Sequence, residues 1–467
     1  MNSSPVGAEG NQRTDAPLRC NLNPDALLPR VYRTGAIQTA RPVLALVLFT
    51  TILAPGACAR PRTEAGSVQH SLTPLSEQRI EDPSGKAMLG FYSAMTRTLS
   101  RCDEPACQNV TRILHYGDSH VASGLLTGPL RASFRRDLGY AGPGFVFAGR
   151  PWSWYKPYAA SMTASSGWHT DGLGQTEQAA DARYGVSGVS FSANAPDETI
   201  TLTANCKLFD IYLLKQPSGG LIDVYVDDTR WRRVSVASNR IEASYLQITA
   251  QSEGPHTIQI RTLTPGRVRV LGIVAETGTS GVEYDVLGIN GARAYRPLEW
   301  DFQILASNLA RRRPNLIIVS YGSNEVNDPD LDIAEYQTRF SGLLHRFRLA
   351  APEASLLVIA PPDRAVLAHG IRRSQPNMPA LVEAQRRAAF TEHAAFWNLF
   401  RAMGGAGSAE RWANKPEALV QHDRVHLTRT GYRLVADSLY REITRGYLTT
   451  VWRGISPHWL RHLRLIG

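Results

Sequence analysis

The sequence predicts a doubly wound α/β domain into which an all-β sandwich is inserted, and three observations carry that expectation. Short apolar runs at residues 113–116, 316–321 and 356–360, joined by weaker ones at 284–289 and 395–399, read as buried parallel strands. Helical stretches follow or separate them. Residues 125–138 place Leu126, Leu130, Phe134 and Leu138 on one stripe, and 428–443 do the same with Tyr432, Val435, Leu439 and Ile443. This alternation predicts an α/β sheet, in which ligands bind beyond the carboxyl ends of the strands. The third observation is the gap between the first two strands. Segments 186–191, 199–203, 209–214, 221–226, 244–249 and 256–262 are short and β-branched or alternating, with Gly, Pro, Asn and Asp between them. Their spacing predicts a β-sandwich.

The remaining elements follow in chain order. Residues 43–53 are apolar and preceded by Arg30, Arg33 and Arg41, which matches a signal-peptide core and is short for a membrane span. Ala57 and Ala59 supply a small-x-small cleavage site ahead of Arg60. Two other endings stay open: lipid modification of Cys58, although Pro55 stands where a lipobox has leucine, and a retained anchor helix. A helix over 84–99 is predicted from Met88, Leu89, Tyr92 and Met95, with Ser84 as N-cap. The expected division is a leader (1–59), a linker and helix (60–110), the α/β domain (111–140 and 284–446), the inserted sandwich (141–283) and a basic amphipathic C-terminal helix (447–467).

A chain of 467 residues with 43% hydrophobic and 20% charged residues has enough apolar content for sizeable cores. The formal charge of +10 comes almost wholly from arginine and predicts weak attraction to anionic polymers or membranes, not a nucleic-acid site. No motif for zinc, phosphate or RNA is present, so neither a metal nor a cofactor is expected. Cys102 and Cys107 bracket a short loop that would suit a disulfide in an oxidising compartment, and Cys206 reads as a buried strand residue.

The residues suited to chemistry lie at strand ends. Strand 111–116 runs into Gly117-Asp118-Ser119-His120 and then a helix, which exposes Ser119 at the sheet rim beside free backbone N–H groups. Its hydroxyl attacks an acyl carbon only if a base removes the proton. Asp423 and His426, three residues apart before the last helix, suit a carboxylate that orients an imidazole. Alone, that spacing is a weak signal. Asn324, in Gly322-Ser-Asn-Glu325 after strand 316–321, offers a side-chain amide to a developing oxyanion, where such a donor is worth roughly 2.7–4 kcal/mol. Gly291 offers an unobstructed N–H to the same oxygen, and the Ser119 N–H makes a third donor.

In this order, Gly117-Asp118-Ser119, Gly291, Gly322-x-Asn324 and Asp423-x-x-His426 resemble the four blocks of the SGNH (GDSL-like) hydrolases. The resemblance covers about 112–139 and 284–445. It implies a flavodoxin-like fold, a Ser119–His426–Asp423 triad and an oxyanion hole from Ser119, Gly291 and Asn324. His120 and Glu325 depart from the common Leu and Asp, and are similar to the branch of peptidoglycan O-acetylesterases and carbohydrate esterases. That branch implies an acylated glycan as partner, with acetyl the expected group. A lipase, a lysophospholipase, an acyltransferase and a non-catalytic glycan-binding protein are the rival readings. Peripheral membrane or lipid anchoring remains open, and the oligomeric state is not legible.

Three further features have two readings each, and a fourth has one. His120 either lines the pocket or is a structural histidine. Trp152, Trp154 and Tyr155 form either a sugar-stacking platform or an interdomain core. Asp227 and Asp228 suit a hairpin turn better than a calcium site. The run Arg311-Arg-Arg313 reads as a solvated helix end.

Overall fold

Strand β1 (Val110–Gly117) is apolar on both faces, with Ile113, Leu114 and Tyr116 all fully buried, and such a strand needs a layer on each side. The computed structural model, which describes residue 75 and residues 77–100, 109–173 and 181–454, supplies both. Parallel to β1 run β2 (Gly281–Gly288), β3 (Leu316–Ser320), β4 (Ser355–Ile359) and β5 (Ala395–Trp397). Their order in the sheet is β2-β1-β3-β4-β5. This is the flavodoxin-like order, and its switch point lies between β1 and β3.

On one face α1 (Leu89–Leu99), α3 (Thr127–Leu138) and α7 (Arg429–Gly454) bury Phe91, Phe134, Leu439 and Ile443 against Ile113 and Ile318. On the other, α4 (Phe302–Arg312), α5 (Ile333–Ala350) and α6 (Met378–Thr391) bury Leu305, Phe340, Phe347 and Leu381 against Leu114, Ile317 and Val358. Helix α1 starts at Leu89, later than expected, and Ser84 is not its N-cap. The Ser84 hydroxyl donates to Asp82 instead.

Between β1 and β2 the chain builds two antiparallel sheets. One orders Glu242–Thr249, Leu208–Lys215, Val268–Glu276, Ser190–Ala193 and His169–Asp171, with Gly144–Val146 also paired to Val268–Glu276. The other orders Ala160–Ala164, Thr199–Asn205, Pro255–Thr262, Leu221–Val226 and Thr229–Ser235. Ile200, Phe209, Ile258 and Ile273 fill the space between them, and this core is continuous with the side of β1 that carries Leu114 and Tyr116. The Tyr116 hydroxyl donates to the Val186 carbonyl at 2.8 Å.

The expected strand 186–191 is shorter than its pattern. Gly185–Ser187 is a 3-10 turn, and Gly188, at φ 71°, sits where a Cβ would meet Trp300 at 2.0 Å, so the strand starts only at Ser190. Strand Val268–Glu276 was not anticipated because Arg269 interrupts its apolar run. That arginine is fully buried and pairs with Asp181 at 2.7 Å. Asp227 and Asp228 both take positive φ (47° and 63°) in a two-residue hairpin turn between Leu221–Val226 and Thr229–Ser235. Cys206 is buried and free in the turn after Thr199–Asn205. The apolar segment 43–53, Cys58, Cys102, Cys107 and residues 455–467 lie outside the described residues.

The Arg311–Arg313 run is not a solvated helix end. Arg311 pairs with Asp210 at 2.6 Å, and Arg313 closes α4 in a left-handed conformation. Arg312 is buried among three carboxylates. It donates to Asp285 at 2.7 and 3.0 Å, to Glu283 at 2.6 Å and to Glu276 at 3.4 Å. Arg112 adds a contact to Glu276 at 3.0 Å. Burial pushes the Glu283 carboxyl up to about 7, with Glu276 and Asp285 acting in the same direction against the arginines.

Two outcomes follow from this cluster. Arg312→Ala leaves buried carboxylates without their cation and should cost about 3–5 kcal/mol in denaturant unfolding. Glu283 binds its proton more tightly in the folded state than in the unfolded chain, whose glutamate titrates near 4.5. Its contribution is therefore complete below that pH and is lost as pH rises through about 7. Glu283→Gln should flatten the decline of the unfolding midpoint between pH 5 and 7.5; an unchanged slope would assign the decline to other groups.

Candidate active site

At the carboxyl end of β1 the chain turns at once into α2 (Ser119–Ala122). A Cβ on Gly117 would lie 2.4 Å from Val121 Cγ2 and 2.5 Å from the Ser320 carbonyl oxygen, so the turn requires glycine there. The end of β2 has the same constraint, since a Cβ on Gly288 would lie 2.4 Å from the Ala122 nitrogen. Together these positions seat α2 on the strand ends. Asp118 caps it by accepting from the His120 N–H at 2.9 Å.

Ser119 is half-buried, and its Oγ lies 2.9 Å from His426 Nε2. His426 Nδ1 lies 2.6 Å from Asp423 Oδ2. The carboxylate is the acceptor there, so Nδ1 carries the hydrogen and Nε2 is left to accept from the serine hydroxyl. Asp423 Oδ1 also accepts from the backbone N–H groups of Val425 (2.9 Å) and His426 (3.0 Å). Partial burial works to raise the Asp423 carboxyl, but these hydrogen bonds outweigh it and hold the group below the usual carboxylate range. The loop is closed at its base, where Gln421 N donates to the His426 carbonyl at 2.8 Å. Arg424, in a left-handed conformation at φ 58°, fastens it to Glu410 at 2.8 Å.

The candidate oxyanion donors come from two loops. Gly291 is exposed at φ 71°, with open space where a side chain would project. Asn324 Nδ2 donates one hydrogen to the Ala292 carbonyl at 2.9 Å, which fixes the amide and leaves its second hydrogen free of that bond. Buried Glu325 joins the two loops. Its Oε1 accepts from Ala294 N at 2.7 Å, and its Oε2 from Gly322 N at 3.2 Å. Burial pushes this carboxyl up to about 7.

The remaining predicted residues divide into two groups. His120 is buried beneath the triad, its ring 5.2 Å from that of His426 and its Nδ1 2.7 Å from the Tyr432 hydroxyl. Burial pushes it down to about 3, so it is neutral at physiological pH. Trp152, Trp154 and Tyr155 lie on the loop after Gly144–Val146 and line a cavity with the junction of α2 and α3. Trp152 and Tyr155 pack against the core, whereas Trp154 is 50% exposed.

Several site residues were not anticipated. Arg364 follows β4 in Pro361-Pro-Asp-Arg and donates to the Ser323 carbonyl within the Asn324 loop. Its position after a buried strand was the available signal. A hairpin of Ala365–Ala368 and Ile371–Ser374 continues from it, and Ala365 N donates to the Arg424 carbonyl at 3.0 Å. The hairpin exposes Leu367 and Ile371 beside the histidine loop.

Residues 248–434 match the GDSL-like Lipase/Acylhydrolase family. That span holds Gly291, Asn324, Asp423 and His426, and Ser119 lies upstream of it across the inserted strands. No curated protein matches the chain. A solved structure described as a peptidoglycan O-acetylesterase in action is similar with a TM-score of 0.63 and 22% identity, covering 79% of this chain and 99% of that one. A family two carbohydrate esterase from Cellvibrio japonicus is more distant, with a TM-score of 0.26 and 12% identity over 62% of this chain and 98% of that one.

A parallel sheet in this order, with a serine, histidine and aspartate hydrogen-bonded in series at its switch point, defines a flavodoxin-like serine hydrolase. With the family match, residues 248–434 are identified as a GDSL-like hydrolase domain. Its class of enzyme is an esterase.

Glu325 is a positioning residue for both donor loops. In Glu325→Gln the new NH₂ would face the Gly322 N–H. The expected result is a fall in kcat of roughly tenfold, less than the about 10²–10³ lost on removing an oxyanion donor, with KM for an aryl acetate little changed. A proportional rise in KM instead would place Glu325 in substrate binding.

Proposed function

We propose that this chain is an exported esterase that removes acetyl groups from an envelope glycan through an acyl-enzyme on Ser119. The observation that carries the reading is the continuous hydrogen-bonded series from Ser119 Oγ through His426 to Asp423, beside the Gly291 and Asn324 loops. His426 Nε2 takes the Ser119 proton as Oγ bonds to the acyl carbon. The oxyanion is held by the N–H groups of Ser119 and Gly291 and by Asn324 Nδ2. On collapse, the proton passes from His426 to the departing sugar oxygen. A water then gives a proton to His426 as its oxygen bonds to the acetyl carbon; on collapse the acyl–Oγ bond breaks, His426 returns the proton to Ser119 Oγ, and acetate leaves.

The aromatic wall of Trp152 and Trp154 supports a sugar substrate, since flat rings suit the faces of pyranoses. The solved structure named above acts on peptidoglycan by its description, which makes O-acetylated peptidoglycan the first glycan to test. Export rests on the segment 43–53, and the mass of the mature N-terminus separates cleavage before Arg60 from lipidation at Cys58. One feature favours a second reading, a lipid ester, namely the exposed Leu367 and Ile371 on the hairpin beside the histidine loop.

Acetate release from O-acetylated peptidoglycan and other acetylated glycans, with a phospholipid arm, decides between them. Ser119→Ala should abolish hydrolysis of a small aryl acetate and leave the fold intact; activity within tenfold of the parent would remove the serine mechanism. Asp423→Asn should lower kcat by about 10²–10⁴, up to the loss known for a buried triad aspartate. An unchanged rate would mean that another group supports His426.

A further inference from the structure

The cavity lined by the aromatic loop and α3 has a volume of roughly 280 Å³, near the lower limit of about 300–1,000 Å³ typical of ligand pockets. Ala122 and Ser123, at the end of α2, form part of its wall. The cavity therefore begins about one helical turn, roughly 5 Å along the chain, beyond Ser119. Trp152, Trp154 and Tyr155 supply apolar walls, with the Trp152 and Trp154 rings 5.3 Å apart.

Its charge is one-sided. Arg131 and Lys156 line it, and no carboxylate is among its described lining residues. Arg131 sits with its guanidinium carbon 4.0 Å from the centre of the Tyr158 ring. Arg135 donates to the hydroxyl of that tyrosine at 2.7 Å, which fixes the ring. Stacking satisfies one face of the Arg131 guanidinium but none of its N–H groups. Its Nε is buried without a hydrogen-bond partner, and among the described residues no carboxylate lies within ion-pairing distance of it. This contrasts with Arg269 and Arg312, which are buried and paired to carboxylates. A partly buried guanidinium held on a fixed ring, with its Nε unpartnered, suits a planar anion.

We propose that this cavity is a subsite for an acidic sugar, in which Arg131 binds a carboxylate carried by the glycan next to the ester-bearing unit. The inference rests on the glycan reading above and narrows it to acidic glycans. Trp152 and Trp154 would take the sugar face, and Lys156 would add charge at the rim.

The test uses full-length chain with Ser119→Ala, so that binding is read without turnover. Hexagalacturonate and its carboxyl-reduced neutral counterpart are titrated by calorimetry, in parallel with an oligomer of glycerol phosphate. The acidic sugar should bind at least tenfold tighter than the neutral one, with an affinity that falls as salt rises. Adding Arg131→Gln, which keeps most of the stem and removes the charge, should abolish that preference and leave neutral-sugar affinity unchanged. Arg131→Lys should restore part of it.

Thermal unfolding of each variant checks the fold. A merely structural arginine would lower the melting temperature and both sugar affinities together, which overturns the proposal. Equal binding of acidic and neutral sugars, or binding of neither, also overturns it, and tighter binding of the glycerol phosphate oligomer overturns the carboxylate assignment. Failure of the esterase reading appears separately, as no aryl acetate hydrolysis by the parent chain.

Discussion

The charge cluster around Arg312 is the joint on which the arrangement depends. Its guanidinium comes from α4, while its carboxylates come from β2 (Glu283 and Asp285) and from the sandwich strand Val268–Glu276. One side chain thus ties the catalytic sheet, the helix behind it and the insert. Asp285 carries the connection further, because its Oδ1 also accepts from the Phe145 N–H at 2.9 Å. Gly144, at φ 75°, allows this approach, since a Cβ there would meet Asp285 Oδ1 at 2.3 Å. The aromatic loop departs from this point, so its position beside α3 follows from a buried ion pair.

A similar economy holds at the strand ends. Asp423 fixes His426 through a side-chain bond and the loop through two backbone bonds, and Glu325 holds two separate loops with one carboxyl. The histidine itself needs no buried partner of its own type. His120 beneath it is neutral and joined to Tyr432, which avoids placing a second cation behind the imidazolium that forms during proton transfer.

The α/β sheet was legible because its strands are short apolar runs, and no other element of this length buries both faces so simply. The site residues were legible as short motifs placed at strand ends, where a doubly wound sheet collects its ligands. Buried charge was not legible. Arg269 hid a fully buried strand, and Arg312 sat in a run that looked like a solvated helix end. Both are explained by carboxylates far away in sequence, and spacing along the chain carries no trace of such pairs. The departure of Glu325 from the common residue was visible, but its role needed the positions of Gly322 and Ala294. Gly188 shortened a strand because Trp300, more than a hundred residues away, packs against it.

The continuous core between insert and sheet has a consequence for how the chain reaches its native state. β1 and β2 are adjacent in the sheet, with Val110 opposite Gly281, yet the whole sandwich lies between them in the chain. Contacts so distant in sequence are slow to form, because the entropy of closing the intervening loop is lost before the pairing stabilises anything. As the polypeptide leaves the ribosome, β1 emerges first and has neither neighbour available, β2 or β3. An apolar strand with both edges unpaired is prone to aggregate. The sandwich therefore does more than separate two blocks of a motif: its own pairings shorten the effective loop between β1 and β2 and so lower the entropy lost when the two strands meet.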